Sequence, residues 1–171
     1  WMGVIFGVFA IGYALFQIPA GGLADVFGPR RVQAWIVGFW SLFTTLTAAA
    51  FNTLSLVLIR FFFGVGEAGA YPGATRALQD WVPAQERGIA QGFFHSGGRL
   101  GAAISLFLMP LLVIRLGWRM TFVINGLVGV VWMIAWLLWF RDNPKDHSWV
   151  NAAELDHIRR GLQEDTAPSV K

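Results

Sequence analysis

Five long apolar stretches alternate with short polar links along this chain. They cover about residues 1–22, 32–51, 54–77, 89–114 and 118–140. Each is close to or above the roughly 20 apolar residues that a helix needs to cross a bilayer. The runs are continuous rather than alternating, which argues against the strands of a membrane barrel. Because a backbone in lipid must satisfy its own hydrogen bonds, the pattern predicts an all-α membrane protein with five transmembrane helices.

The composition supports the membrane interpretation and narrows the function. The chain is 56% hydrophobic and 13% charged, whereas soluble domains carry about 25% charged residues. The absence of cysteine excludes disulfides, thiol catalysis and cysteine-ligated metals. The sequence has no nucleophile–base set, no phosphate loop and no cluster of metal-ligating side chains. We therefore expect neither an enzyme nor a bound metal or other cofactor, and we assign the net charge of +3 to a membrane surface rather than to nucleic-acid binding.

The basic residues predict the orientation of the helices. Most of them alternate onto one side, namely Arg30, Arg31, Arg76, Arg87, Arg141, Lys145, Arg159, Arg160 and Lys171. By the positive-inside rule this side is cytoplasmic, so residue 1 starts outside and we expect one more span upstream. Residues 1–140 are then the transmembrane part of a six-span half, and 141–171 begin a cytoplasmic linker. Within the linker, 151–161 reads as an amphipathic helix with Leu155, Ile158 and Leu162 on one side.

Two opposite charges lie inside the third apolar stretch. Arg60 and Glu67 are seven residues apart, close to two helical turns, so they share one helix face. A charge near the bilayer centre costs several kcal/mol and usually marks an ion or proton pathway. A carboxyl group balanced between burial and a nearby guanidinium can bind and release a proton. The alternative is a permanent structural ion pair between the two side chains.

Other polar side chains in the apolar stretches are candidates for substrate contact. Tyr13 and Gln17 share a face of the first stretch, and His95 and Arg99 share a face of the fourth. An arginine at this depth can bind a carboxylate through two parallel hydrogen bonds. Tyr13 could instead be a packing residue, and Gln17 and His95 could serve only as hydrogen-bonding contacts between helices.

Two motifs resemble the major facilitator superfamily. The first link reads Gly22-Leu-Ala-Asp25-Val-Phe-Gly28-Pro-Arg30-Arg31, and the third stretch carries Arg60-Phe-Phe-Phe-Gly64-Val-Gly66. They resemble the loop between the second and third helices of that superfamily and an element of its fourth helix. The resemblance implies that Gly22, Asp25, Gly28, Arg30 and Arg31 form a gating motif, in which Asp25 is the acid and the two arginines are its basic side. Val26 departs from the family, which usually has a basic residue there.

Further motifs resemble the anion:cation symporter family within this superfamily. They are Tyr13-x-x-x-Gln17-Ile-Pro, Gly66-Glu-Ala-Gly-Ala-Tyr-Pro-Gly73 and Trp81-Val-Pro-x-x-Glu86-Arg-Gly88. This family includes bacterial hexuronate, galactonate, glucarate and tartrate carriers and animal vesicular organic-anion carriers. The resemblance covers essentially the whole chain, as helices 2–6 in the N-terminal half of a twelve-helix fold. Gly98 stands where some sugar-acid carriers place an amide, which favours a different or more anionic ligand.

The resemblance implies a secondary active transporter of a bacterial inner membrane. It would act as a monomer and take up an organic anion, a sugar acid or related carboxylate, with protons by alternating access. Glu67 would be the protonatable coupling residue and Arg60 would bias its protonation, while Tyr13, Gln17, His95 and Arg99 would be candidates for binding the substrate. Two alternatives stay open: an organophosphate or organic-anion exchanger, and a membrane sensor on the same scaffold that does not transport.

Overall fold

A computed structural model describes the backbone of residues 2–166 and the side chains of residues 2–162. Its helices are α1 (Met2–Phe27), α2 (Pro29–Thr47), α3 (Thr53–Glu67), α4 (Ala70–Trp81), α5 (Arg87–Trp139) and α6 (Ala152–Thr166), with a 3-10 turn at Pro144–Asp146. Trp1 and residues 167–171, including Lys171, lie outside the described residues. The prediction of an all-α fold is confirmed.

Three helical stretches are long and apolar enough to cross a membrane: Met2–Phe27, Thr53–Trp81 and Arg87–Trp139. The last contains two of the predicted spans, because Gly117 has φ 78° and ψ 159° and interrupts the helix. The parts on either side, 87–116 and 118–139, are about 45 and 33 Å long at 1.5 Å per residue. The break falls between residues 114 and 118, where the sequence predicts a link.

The second predicted span, 32–51, forms a helix that is less apolar than these three stretches. This helix is α2. Among the described residues, α2 is not one of the three helical stretches that are long and apolar enough to cross a membrane. Thr44, Thr45 and Thr47 each donate a hydrogen bond to the carbonyl four residues earlier, at 2.8–3.0 Å. These hydroxyl groups are satisfied within the helix, so α2 can sit in the bundle despite its polar residues. It packs against α3 and the 118–139 part of α5 and is the best buried helix of the chain.

The third predicted span, 54–77, is divided into α3 and α4 at Ala68 and Gly69. Pro72 explains the division, because proline cannot donate to the carbonyl four residues earlier, that of Ala68, and its ring crowds that carbonyl. Gly69 also leaves no room for a side chain, since a Cβ there would lie 2.9 Å from the Cβ of Ala20 on α1. The break places Glu67 at the C-terminal end of α3.

The polar segment after α5 folds back onto the ends of the other helices. Ile158 of α6 is 5% exposed, and Leu155, Ile158 and Leu162 line one cavity, in agreement with the predicted amphipathic face. His157 lies 2.9 Å from the carboxylate of Glu86 in the link between α4 and α5. This segment therefore docks at the end of the bundle where most basic residues gather.

Candidate functional site

Glu67 lines two neighbouring cavities inside the helix bundle. Cavity A, of about 410 Å³, is bounded by α2, α3 and both parts of α5. Cavity B, of about 480 Å³, is bounded by the same helices and α4. Trp40, Glu67 and Asn125 form part of the wall of both. The end of α3 thus presents the carboxyl group of Glu67 to partly open pockets rather than to a packed interface.

Arg60 lies at the wall of cavity A without pairing with Glu67. Its guanidinium carbon is 5.5 Å from the ring centroids of Phe63 and Phe122, both of which line that cavity. The two rings stabilise the cation through their π faces. Among the described side chains no hydrogen bond or ion pair within 4.0 Å joins Arg60 to Glu67. The tight ion pair considered as the alternative is therefore not formed in this structure.

The structure brings Tyr13 towards Glu67 but leaves Gln17 apart. Tyr13 is half-buried, with its ring centroid 6.1 Å from that of Phe9. Its backbone packs against Gly64, three residues before Glu67 on α3, because a Cβ on Gly64 would lie 3.1 Å from the Tyr13 nitrogen. Gln17 lies one turn further along α1 and is exposed. Of this predicted pair, only Tyr13 therefore belongs to the surroundings of the carboxyl group.

His95 and Arg99 both lie on the exposed part of α5, before the break at Gly117. The His95 ring stacks on Tyr71, with centroids 5.5 Å apart and planes 18° apart. Tyr71 lines cavity B, so His95 reaches the edge of the site through this ring. Arg99 lies one turn further along an exposed face, away from the cavity walls described above.

The acid of the predicted gating motif pairs with a residue outside the motif. Asp25 forms an ion pair with Arg76 of α4 at 3.0 Å, and Arg76 also pairs with Asp80 at 2.8 Å. The basic partner of Asp25 is therefore Arg76, rather than Arg30 or Arg31 as the resemblance implied. The sequence indicated Arg76 only as one of the residues that set the orientation of the helices.

Arg30 instead joins the start of α2 to the end of α5. Its backbone N–H donates to the carboxylate of Asp142 at 2.7 Å, and its guanidinium donates to the carbonyl of Leu137. Trp136 Nε1 donates to the carbonyl of Arg30 at 3.1 Å. Gly28, with φ 81°, leaves the space that Asp142 fills, because a Cβ there would lie 2.9 Å from that carboxylate.

The two remaining residues of the gating motif make fewer contacts. Arg31 is exposed, and a Cβ at Gly22 would meet no atom within 4 Å. Their role in gating therefore stays a prediction.

Two amides near Glu67 were not identified from the sequence. The Asn125 amide nitrogen donates to the Thr121 carbonyl at 2.8 Å and to the Met109 sulfur at 3.3 Å. Gln33 is 8% exposed, and its amide nitrogen donates to the Ala70 carbonyl at 3.4 Å. Both amides lie within predicted apolar stretches, and a polar side chain in such a stretch is the sequence feature that could have identified them. Over the described residues, no group of three or more His, Asp or Glu side chains is placed to hold a metal.

Comparison with known proteins gives the family. Residues 2–168 match the Major Facilitator Superfamily. The chain is 43% identical over 157 residues to a probable sulfoacetate transporter of Cupriavidus necator, covering 92% of this chain and 36% of that protein. It is 36% identical over 166 residues to a probable galactarate/D-glucarate transporter of Bacillus subtilis, covering 94% of this chain and 36% of that protein. A hexuronate transporter of Bacillus subtilis is 32% identical over 145 residues, covering 85% of this chain and 34% of that protein.

The chain spans about a third of the length of these relatives. Their descriptions are those of transporters for organic anions and sugar acids, which are not enzymes, so the expectation of a non-enzymatic protein is confirmed. Together with the long apolar helices, the family match also confirms the predicted multi-pass integral membrane protein. The chain belongs to the major facilitator superfamily.

Proposed function

We propose that this chain forms part of the N-terminal half of a proton-coupled organic-anion transporter working by alternating access. The observation that carries the proposal is the position of Glu67, which faces two cavities in the bundle and has no ion pair with Arg60. A carboxyl group held in this way can exchange a proton with the cavity. In this proposal residues 1–140 are helices 2–6 of the bundle, and 141–171 begin the linker to the second half.

Coupling follows from the cost of an uncompensated charge in a low-dielectric site. With its proton bound, Glu67 is neutral and the carrier can change its exposure without moving a bare carboxylate through the bundle. When the proton leaves, the positive charge of Arg60 on the same helix face favours the carboxylate. Alternating protonation at one residue then ties each transport cycle to one proton.

The substrate we propose is a small organic anion, a sugar acid or a related carboxylate. The relatives described above as carriers of sulfoacetate, galactarate, D-glucarate and hexuronate support this class. Tyr13, beside Glu67, would hydrogen-bond the bound anion. Gln17, His95 and Arg99 lie on exposed faces, where they would meet substrate at the junction with the second half of the carrier. A guanidinium such as that of Arg99 suits a carboxylate in this position.

Gating would depend on the ion pair of Asp25, near the C-terminal end of α1, with Arg76 of α4. We propose that the pair holds these helices together while the carrier is open to the outside, and that it opens when the carrier faces the cytoplasm. Because the pair is partly exposed, it can break at a cost of about 1 kcal/mol or less. Such a small cost suits a contact that must open in every transport cycle.

The test uses the full-length protein in proteoliposomes with an inward proton gradient. Uptake of labelled sugar acids, dicarboxylates, sulfoacetate and sugar phosphates is compared between wild type and Glu67→Gln. We expect gradient-driven accumulation of one carboxylate, its loss in Glu67→Gln, and persistence of substrate exchange in that variant. Glu86→Gln is the matched control, because Glu86 lies outside the two cavities and pairs with His157.

The same panel separates the alternatives. Exchange of a sugar phosphate that is indifferent to the gradient and to Glu67→Gln would establish an organophosphate exchanger and overturn the proposal. Binding of a ligand without any movement across the bilayer would establish a sensor and also overturn it.

A further inference from the structure

Arg76 of α4 lies between two carboxylates. Its Nε is 3.0 Å from Asp25 near the C-terminal end of α1, and its Nη1 is 2.8 Å from Asp80 on α4 itself. The first pair joins two helices, whereas the second joins residues four apart in one helix. Movement of α1 away from α4 would therefore break the pair with Asp25 but leave the pair with Asp80 in place.

The two pairs differ in geometry and in exposure. Arg76 Nη1 donates a directed hydrogen bond to Asp80. Nε has no hydrogen-bond partner among the described residues, although the Asp25 carboxylate lies beside it. The Asp80 side chain is 29% exposed and that of Asp25 is 67% exposed. Because an exposed contact without an aligned hydrogen bond is weak, Asp80 is the firmer partner of Arg76 and Asp25 the more easily released one.

The stability of α4 does not account for an acid at position 80. Since α4 ends at Trp81, Asp80 lies in its last turn, where the free carbonyl groups of the helix repel a negative charge. An acid four residues after its basic partner is also the less favourable order for a helical pair. Local helix energetics therefore weigh against Asp80, and the group on which its charge acts is Arg76.

We propose that Asp80 is a positioning residue of the gate, which retains Arg76 when Asp25 leaves and so makes opening easier. Because both carboxylates contact the same guanidinium, they are held near each other while the gate is closed, and like charges repel. This repulsion falls once α1 moves away, whereas the hydrogen bond from Arg76 to Asp80 persists. The inference rests on the gating role proposed above for the Asp25–Arg76 pair, since that role supplies the opening step.

Loss of the two acidic charges should shift the gate in opposite directions. Asp80→Asn keeps an oxygen that accepts the hydrogen bond from Arg76, so the variant removes the charge and retains the orientation of the guanidinium. The repulsion between the two carboxylates is then absent, and the closed gate is favoured over the open one. Asp25→Asn removes the ion pair between α1 and α4, and the open gate is favoured instead.

The experiment measures the distance between α1 and α4 beside the gating pair. Spin labels are attached to cysteines at the exposed positions Val26 and Gln79 of the full-length protein, whose other cysteines are replaced. Double electron–electron resonance in lipid nanodiscs gives the ratio of the short, closed distance to the long, open distance. The pH and the concentration of D-glucarate are set so that the wild type populates both. Exposed charge pairs shift an equilibrium by about two- to fivefold, and we expect Asp80→Asn to raise the ratio by that factor and Asp25→Asn to lower it.

Matched variants make the result specific. Asp156→Asn is the control, because Asp156 pairs with Arg160 at 2.6 Å and the two are also four residues apart in one helix. The ratio in Asp156→Asn should equal that of the wild type. Asp80→Glu keeps the charge and should return the ratio towards the wild-type value. In an Asp25→Asn background Asp80→Asn should have no further effect, because the repulsion needs both charges.

The outcomes separate this inference from the gating role on which it rests. An unchanged ratio in Asp80→Asn, or a shift in the same direction as in Asp25→Asn, would overturn the role of Asp80 alone. The same shift with and without the Asp25 charge would assign the effect to another charge at this pocket, such as Asp142 or Arg159, and would also overturn it. An unchanged ratio in Asp25→Asn, or a single distance in the wild type under every condition, would overturn the gating role and the inference together.

Discussion

Replacing Gly64 by alanine tests the close contact between α1 and α3. A Cβ on Gly64 would lie 3.1 Å from the backbone nitrogen of Tyr13 and closer still to the carbonyl oxygen of Phe9. In the reverse direction, a Cβ on Gly12 would lie 2.5 Å from the carbonyl oxygen of Phe61. These neighbours are backbone atoms, which cannot rotate away as a side chain can. The two glycines therefore allow the helices to touch backbone to backbone.

The size of the effect follows from two opposing contributions. An added methyl group in a packed interface costs about 1–3 kcal/mol, because the helices must separate. Alanine offsets part of this, since in a helix it is more favourable than glycine by about 0.8–1.0 kcal/mol. The net loss can reach about 2 kcal/mol, and because the added methyl groups meet backbone atoms we expect the upper part of that range, about 1–2 kcal/mol, for Gly64→Ala and for Gly12→Ala. The separation would also move Tyr13 away from Glu67.

The assay is thermal unfolding of the purified protein in detergent at one fixed heating rate, since membrane proteins often unfold irreversibly. Gly7→Ala is the control, because Gly7 lies on α1 but a Cβ there meets nothing within 4 Å. Both test variants should unfold several degrees below wild type, while Gly7→Ala should not. Equal unfolding temperatures for Gly64→Ala, Gly12→Ala and Gly7→Ala would refute the reasoning.

Two further predictions concern the ends of the helices. Asp142→Ala removes the acceptor for the Arg30 backbone N–H. We expect the free energy of unfolding to fall by about 1 kcal/mol, as for a lost helix cap, and thermal unfolding measures this. Asp146→Ala is the control, and an equal effect of that variant would contradict the prediction. Asp25→Asn should change stability by less than about 1 kcal/mol but slow the initial rate of uptake. The double variant Asp25→Arg/Arg76→Asp should recover part of that rate, and no recovery would argue against a gating pair.

The sequence predicted the helices well because hydrophobic length and helix breakers are local properties. The link expected between residues 114 and 118 coincides with Gly117, whose positive φ interrupts α5. The break between α3 and α4 was harder to predict, because a transmembrane helix tolerates a proline such as Pro72 when its neighbours satisfy the freed carbonyl. Whether the helix continues or stops there depends on contacts with α1 and α2.

The candidate site was predicted only in part. The seven-residue spacing gives Arg60 and Glu67 a common face, but the position of Phe122 against Arg60 depends on how α5 packs. Asp142 and Arg30 are 112 residues apart, so nothing local in the sequence pairs them. Gln33 draws attention only once cavity B, which it lines, is known.

The most direct test of proton coupling at Glu67 is the steady-state accumulation of substrate across a known pH gradient. The membrane potential is clamped at zero in proteoliposomes that contain the full-length protein. One pH unit supplies about 1.4 kcal/mol per proton, so one proton per electroneutral cycle supports about tenfold accumulation. The wild type should approach that ratio, and Glu67→Gln should only equilibrate substrate across the membrane. A Glu67→Gln variant that accumulates substrate as strongly as the wild type would contradict the assignment of the coupled proton to Glu67.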